Sequence, residues 1–409
     1  MTEMLKQVIA RNRAGEAVAI PSVCSAHPDV LRASIRMADV LGRPLVVEAT
    51  SNQVNQHGGY MGMRPEAFIA YVHAIADEVG ADRAAVQFGG DHLGTQVWRA
   101  GDAAAAMQEA RVLVRDYVAA GFDKIHLDCS EGCRGEAAQL DDTTTATRSA
   151  DLARACLEVR DDLLFVVGTE VPPPGGARMD EDGHIPPTDA GAARATLAAH
   201  DAVFGDMASM IGGLVVQPGV EFSPTQVHAL PMERDPGLAD AIADRPGVCL
   251  EAHSTDYQDG AVFPRLAELG FAFQKVGPAL TFAYREAMYA LDGLRQDKGA
   301  LERCMEDIML RDPKYWQGHY HGAEESLYQQ RHFGLADRIR YYWPQDAARA
   351  GVQALFDDLP EVISDDALSK AFAPEVLDRA EAGHGPLAQR LIEAQIQQAL
   401  NPYFFGEMA

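Results

Sequence analysis

Eight short apolar runs recur along the chain up to residue 277, with alanine-rich stretches of helical spacing between them. The runs are AVAIPSV (17–23), PLVVEA (44–49), AAVQFG (84–89), KIHLD (124–128), LLFVVGTE (163–170), GLVVQPG (213–219), GVCLEAH (247–253) and FAFQKVG (271–277). DAAAAMQEARVLVRDYVAAG (102–121) and DAGAARATLAAHDAVFG (189–205) read as amphipathic helices between them. Near-continuous apolar strands alternating with such helices make parallel βα units. Eight units predict an α/β fold, a closed (β/α)8 TIM barrel. An open doubly wound sheet is the alternative, but no G-x-G-x-x-G follows the first strand, which weakens its dinucleotide-binding form.

The C-terminal ends of these runs carry a second regularity. The second ends in Glu48, the third in Asp91 and His92, the fourth in Asp128 and the fifth in Glu170. The sixth delivers Gln217, the seventh Glu251 and His253, the eighth Lys275. In a (β/α)8 barrel the loops at this end converge on one pocket. A single polar residue there can be satisfied by its neighbours, whereas repetition around the ring points to a functional cluster.

After Val276 the pattern changes. Residues 281–311 read as helix, followed by aromatic-rich KYWQGHYHG and DRIRYYWPQ and further helical sequence. The expected division is a catalytic barrel over 1–285 and a helical extension packed on it over 286–409. His319 and His321 lie on an irregular segment without a third ligand and read as surface or packing residues. Tyr341, Tyr342 and Trp343 read as core or subunit interface.

The 409 residues are 47% apolar and 23% charged, ordinary for a soluble globular protein. The net charge of −25 argues against nucleic acid or an anionic membrane as partner. It also requires any substrate phosphate to be held by local groups. MTEMLKQVIARNRAGE has no apolar core of signal-peptide length, and no apolar run reaches the roughly 18 residues of a membrane span. Six scattered cysteines read as reduced thiols, so a cytoplasmic location is expected; Cys129 and Cys133 lack the second pair of a zinc site.

His92 and His253 come from strands that can meet across a barrel mouth, with Glu170 between them in ring order. Two imidazoles and a carboxylate are a common divalent-cation site that leaves positions open for substrate. Asp128 is a further ligand or orients one. Asp91, adjacent to His92 on what reads as a loop left through Gly89-Gly90, chelates the same ion with difficulty and suits general acid–base work. Its bland role is to cap the helix beginning near 94–104. A Lewis acid on a carbonyl and its neighbouring hydroxyl serves aldol cleavage, aldol addition, isomerisation and epimerisation of ketoses. The loop TSNQVNQHGGYMG supplies Asn52, Gln53, Asn55 and Gln56, whose amides suit sugar hydroxyls. Glycine amides of EVPPPGGAR can hold a phosphate. Schiff-base chemistry through Lys275 or Lys124 competes with the metal reading.

SVCSAHP, EATSNQVNQHGGYMGM, GGDHLG, GFDKIHLDCS, GTEVPPPGG, VVQPGVEF, EAHSTDYQ, KVGPALTFAYREA and DRIRYYWP together resemble the GatZ/KbaZ family associated with D-tagatose-1,6-bisphosphate aldolase. More remotely, Asp91-His92 resembles the Asp-His motif of class II aldolases, where the aspartate is the acid/base and the histidine binds zinc. His253 in HSTDY matches their second histidine ligand, and KVGPALT their substrate-binding segment. Glu170 stands in the place of a histidine ligand and Gly277 in that of a substrate-contacting asparagine. The resemblance implies a divalent cation, Zn²⁺ favoured and Mn²⁺ or Mg²⁺ as alternatives, held by His92, Glu170 and His253. Asp91, Asp128 and Glu48 are the catalytic candidates. Substrate contacts fall to Asn52, Gln53, Gln56, Gln217, Ser254, Asp256, Lys275 and Gly277, with Glu251 orienting the sugar as an alternative to Glu48. The implied activity is 4-epimerisation of a ketohexose or its phosphate by retro-aldol and aldol steps at C3–C4. Bisphosphate aldolase comes second, and a non-catalytic subunit supporting a separate catalytic aldolase chain third. A homo-oligomer is expected.

Overall fold

The structure, a computed structural model, describes residues 2–168 and 184–406. Eight parallel strands close into a barrel: β1 (Ile20–Val23), β2 (Leu45–Thr50), β3 (Val86–Leu93), β4 (Lys124–Leu127), β5 (Leu164–Gly168), β6 (Ile211–Val215), β7 (Cys249–Ala252) and β8 (Phe271–Val276), with β8 pairing β1. Six of the strands are shorter than their apolar runs, β2 equals its run in length, and β3 outlasts its own by continuing to Leu93. A helix lies before the first strand, α1 (Thr2–Arg13), and others follow in turn: α2 (Pro28–Val40), α3 (Pro65–Val79), α4 (Ala103–Ala120), α5 (Asp142–Leu157), α6 (Ala190–Phe204) and α7 (Val262–Glu268). Between β6 and β7 the crossover uses a two-stranded ribbon and a short 3₁₀ segment, Leu238–Ile242, in place of an α-helix.

Period-two alternation divides the strand side chains between two cores. Leu45, Val47, Leu250 and Phe271 face outward against the helices. Ile20, Val46, Leu164, Val166, Val215, Cys249 and Phe273 face the barrel axis, where Leu5, Val8 and Ile9 of α1 join them. The N-terminal helix thus plugs the bottom of the barrel, and Asn12 ties it down by donating to the carbonyls of Val18 and Ala267.

The eighth barrel helix, α8 (Pro278–Asp292), runs past the expected border at residue 285. Beyond it lie α9 (Ala300–Arg311), α10 (Glu324–Phe333), α11 (Asp346–Asp358), α12 (Asp365–Ala371), α13 (Pro374–Glu381) and α14 (Leu387–Leu400). α14 packs on α8 and α2, which fastens the extension to the barrel wall. Asp337, in the left-handed region at φ 44°, accepts from Thr281 at 2.5 Å and faces the buried Arg285 guanidinium at 3.5 Å. Tyr342 and Trp343 are buried, whereas His319 and His321 are exposed. No helix among the described residues is long and apolar enough to cross a membrane.

Candidate functional site

Above the apolar layer of the barrel, the same inward-facing positions become charged. Two residues above Val46 is Glu48, above Cys249 is Glu251, and above Phe273 is Lys275, while Lys124 opens β4. Lys124 Nζ lies 2.6 Å from Glu48 Oε1 and 2.6 Å from Glu251 Oε2, all three fully buried. Lys275 Nζ pairs with Asp91, with Glu251 at 3.1 Å and with Glu48 at 3.5 Å. Burial alone would lower both lysine pKa values, but these carboxylates outweigh it and raise them. Schiff-base chemistry needs a neutral amine, so both lysines are held in the wrong protonation state for it. Glu48 is turned inward to this clamp, with Cys24 Sγ at 3.3 Å from its other oxygen.

One layer higher, three imidazoles converge. Ring centroids of His92 and His126 are 4.7 Å apart, His92 and His253 5.2 Å, and His126 and His253 5.4 Å. Asp91, His92, His126 and His253 each offer a ligand atom, all within 4.8 Å of one another. Asp91 was expected not to chelate easily the ion that His92 binds. The register of β3 against β4 shifts between Gly90 and Leu93, and His92 adopts φ 47°. Both side chains therefore reach one point. Asp91 and His92 also lie within β3, not on a loop, and the cap of α4 is Asp102. Gly89 and Gly90 serve close approach instead of a turn; a Cβ on Gly89 would stand 2.8 Å from Glu48 Cγ, and one on Gly90 2.6 Å from Leu93 Cδ1.

Each histidine has a partner that orients it. His92 Nδ1 lies 2.7 Å from Asp128 Oδ2, and Asp128 Oδ1 accepts from the Ser130 amide at 3.0 Å and hydroxyl at 2.6 Å. Asp128 thus stands behind His92. His126 Nε2 faces the Gly168 carbonyl at 3.0 Å and so carries the proton; its Nδ1 then accepts from the His92 amide at 3.3 Å. That same Nδ1 confronts Asp91 Oδ1 at 3.1 Å. Lys275 Nζ already lies against that oxygen and the His92 amide against that nitrogen, and the set of three imidazoles and a carboxylate is of the nitrogen–oxygen type that zinc prefers. His253 Nε2 lies 2.9 Å from Glu251 Oε1.

The electrostatics differ sharply between neighbours. Burial favours neutral Asp91, but Lys275, His92 and His126 together hold its carboxyl well below the usual range. Burial would also lower His92, yet Asp91 and the hydrogen bond to Asp128 lift it to about 9. His253 is pushed down to about 3 by burial and by Lys275, and so is neutral and ready to act as a ligand.

The remaining expected residues are scattered in role. Glu170 and the segment EVPPPGGAR lie outside the described residues. Gln53 is buried beside the mouth and accepts from the Thr50 amide at 2.8 Å. Asn52 instead pairs with Gln96, Asn55 braces its own loop, and Gln56 turns to Glu109 on α4. Gln217 Oε1 accepts from the Gly219 and Val220 amides and shapes the loop after β6. Ser254 sits at φ 52° directly after His253. Asp256 accepts from the Gly277 and Ala279 amides at 3.0 and 2.8 Å, filling the N-terminus of α8, and burial raises it to about 6. His126 was missed, and Lys124 was named only as a Schiff-base candidate; the alternation Lys124, His126, Asp128 places all three on one strand face and was the available signal.

The description "D-tagatose-1,6-bisphosphate aldolase subunit GatZ/KbaZ-like" matches residues 5–407. The D-tagatose 6-phosphate 4-epimerase of Agrobacterium fabrum (strain C58 / ATCC 33970) is 42% identical, with 98% of each chain covered. The D-tagatose-1,6-bisphosphate aldolase subunit GatZ of Salmonella heidelberg (strain SL476) is 40% identical over 98% of this chain and 99% of its own. The crystal structure of a probable tagatose 6 phosphate kinase from Sinorhizobium meliloti 1021 superposes with a TM-score of 0.86 at 39% identity, covering 94% of this chain and 99% of that one.

Proposed function

The chain belongs to the D-tagatose-1,6-bisphosphate aldolase subunit GatZ/KbaZ-like family, and from that premise we propose that it is a metal-dependent ketose 4-epimerase. It interconverts tagatose and fructose, or their phosphates, by breaking and remaking C3–C4. The observation that carries this reading is the convergence of His92, His126, His253 and Asp91 on one point above a lysine–carboxylate clamp. A subunit with a purely supporting role has no need of such a cluster. The names of the relatives differ in reaction and agree on the sugar.

His92, His126 and His253 would hold the ion, with Glu170 as a further ligand. A divalent cation there, Zn²⁺ favoured and Mn²⁺ or Mg²⁺ as alternatives, supplies a Lewis acid that polarises the ketone. Lys275 keeps Asp91 ionised and fixed in place. Asp91 takes the proton from O4 as the C3–C4 bond breaks, its electrons passing to the carbonyl to give an enediolate and an aldehyde. The aldehyde turns to present its other face, C3 re-adds to C4, and Asp91 returns the proton to O4. Asp128 fixes the His92 ring throughout. Gln53 and Ser254 contact the sugar from the β2 and β7 loops.

In this route the C4 hydrogen never leaves its carbon, whereas direct deprotonation at C4 exchanges it with solvent. Turnover in D2O should therefore give the 4-epimer without deuterium at C4, as read by NMR; deuterium there defeats the retro-aldol route. A second reading, bisphosphate aldolase or its supporting subunit, is favoured by the 40% identity to the Salmonella subunit. Accumulation of triose products would support the aldolase.

A further inference from the structure

A cleft of about 520 Å³ lies between the barrel mouth and the C-terminal extension, within the usual size range of small-ligand pockets. Cys24, Gln53 and Gly277 form its barrel side. Cys24 Sγ lies 3.3 Å from Glu48 of the clamp, so the cleft adjoins the candidate site. The extension contributes Arg340, Trp343 and Arg349 to the opposite wall. We propose that this cleft is the phosphate subsite of the epimerase, with Arg340 the cation that selects a phosphorylated ketohexose over the free sugar. The proposal rests on the ketose reading above and deepens it.

Three observations converge on it. First, the N-terminus of the helix after the last strand, a frequent phosphate site in barrels of this kind, is filled by the Asp256 carboxylate. A substrate phosphate must therefore be received elsewhere. Second, Arg340 is anchored but not exhausted. Its Nη1 donates to the carbonyls of Ala336 and Asp337, the latter at 3.0 Å, and Nη2 donates to the Tyr341 hydroxyl at 2.8 Å. The guanidinium has five N–H groups, which leaves two with no acceptor among the described residues. Third, His27 also lines the cleft, its buried Nδ1 without a hydrogen-bond partner and 4.0 Å from Asp29 Oδ2. Burial lowers the His27 pKa, so the ring is neutral and adds no second positive charge beside Arg340.

Other charges in the cleft are already neutralised. Asp29 is paired with Arg32 at 2.6 Å, and Arg349 is held by Asp346 at the start of α11. Arg349 is exposed on the rim, whereas Arg340 is half-buried in the wall with donors to spare. In a chain of net charge −25 the overall field repels a phosphate, which makes one local guanidinium decisive for affinity.

The test measures binding by calorimetry on the full, cation-loaded chain, with tagatose 6-phosphate, free tagatose and inorganic phosphate as ligands. The wild type should prefer the phosphorylated sugar, with inorganic phosphate competing. Arg340→Met should weaken tagatose 6-phosphate about 100-fold, in keeping with loss of charge-assisted hydrogen bonds. Arg340→Lys, which keeps the charge and a donor for the extension, should weaken it about 10-fold. In both, affinity for free tagatose should fall far less. Equal losses for the two sugars, no selective loss in the variant that folds, or a wild type that does not discriminate would each overturn the proposal. Selective binding through Arg340 without turnover would sink the epimerase and leave the subsite. Full turnover of tagatose 6-phosphate by Arg340→Met would do the reverse.

Discussion

Asp91 and His126 stand 3.1 Å apart and are assigned different work. His126 Nε2 faces the Gly168 carbonyl, which leaves Nδ1 as its acceptor nitrogen, whereas Asp91 is tied to Lys275; the proposed function makes the first a ligand and the second the acid–base group at O4. His126→Ala should therefore lower cation affinity by at least about 100-fold, as loss of a ligand does. Asp91→Asn should retain the cation within about 10-fold and lower kcat about 10³-fold, in the range of lost acid–base catalysis. Calorimetry and steady-state rates separate the two; equal losses of cation in both variants would make Asp91 a ligand. The His92 pKa of about 9 carries a pH dependence. Below that value the cation-free ring holds a proton that binding must displace, so affinity should rise with pH, up to tenfold per unit, and level off near 9. His253, neutral above about 3, adds nothing to that slope. One proton released per ion at pH 7, read in buffers of different ionisation enthalpy, checks it, and pH-independent affinity would refute it. At this scale Asp91, His92 and His253 were legible in the sequence, because each ends an apolar run. His126 was not, because it lies inside its run, and only the strand's two-residue period reveals which way it faces.

Among the elements, β3 departs most from its sequence reading. A Gly-Gly pair before Asp-His reads as an exit from the strand, yet β3 continues to Leu93 with a register shift after Gly90. Space, not turning, selects the glycines there, and a neighbouring side chain in a folded barrel is invisible to local sequence rules. Gly94 is the strictest case, since a Cβ would fall 1.8 Å from the Asp128 carbonyl oxygen. Gly94→Ala should destabilise the chain by about 3 kcal/mol through forced backbone movement. It should also weaken cation binding, because Asp128 supports His92. Denaturant midpoints and metal titration on the same variant read both effects, and a wild-type midpoint would show that the strand end yields cheaply. The helices were more legible, with 102–121 becoming Ala103–Ala120 and 189–205 becoming Ala190–Phe204. Helical periodicity is a local property. The plugging of the barrel by α1 is not, and it could not be read from residues 2–13 alone.

For the whole molecule, the (β/α)8 architecture was legible because eight apolar runs leave few other ways to bury them. How the extension meets the mouth was not, since Arg340 and Trp343 line one cleft with His27, more than 300 residues away in sequence. The aromatic run YYW was expected to be core or interface, and Trp343 is both buried and part of the cleft wall. The proposed function requires barrel, cluster and extension to act on a ketose without a partner chain. The direct test incubates the purified chain, without any partner, with tagatose 6-phosphate and with free tagatose. Zn²⁺, Mn²⁺ and Mg²⁺ are supplied in turn, then a chelator is added, and products are separated by chromatography. The expected result is the corresponding fructose without trioses, abolished by chelator and restored by the cation; no conversion of either sugar with any of the three cations would contradict it.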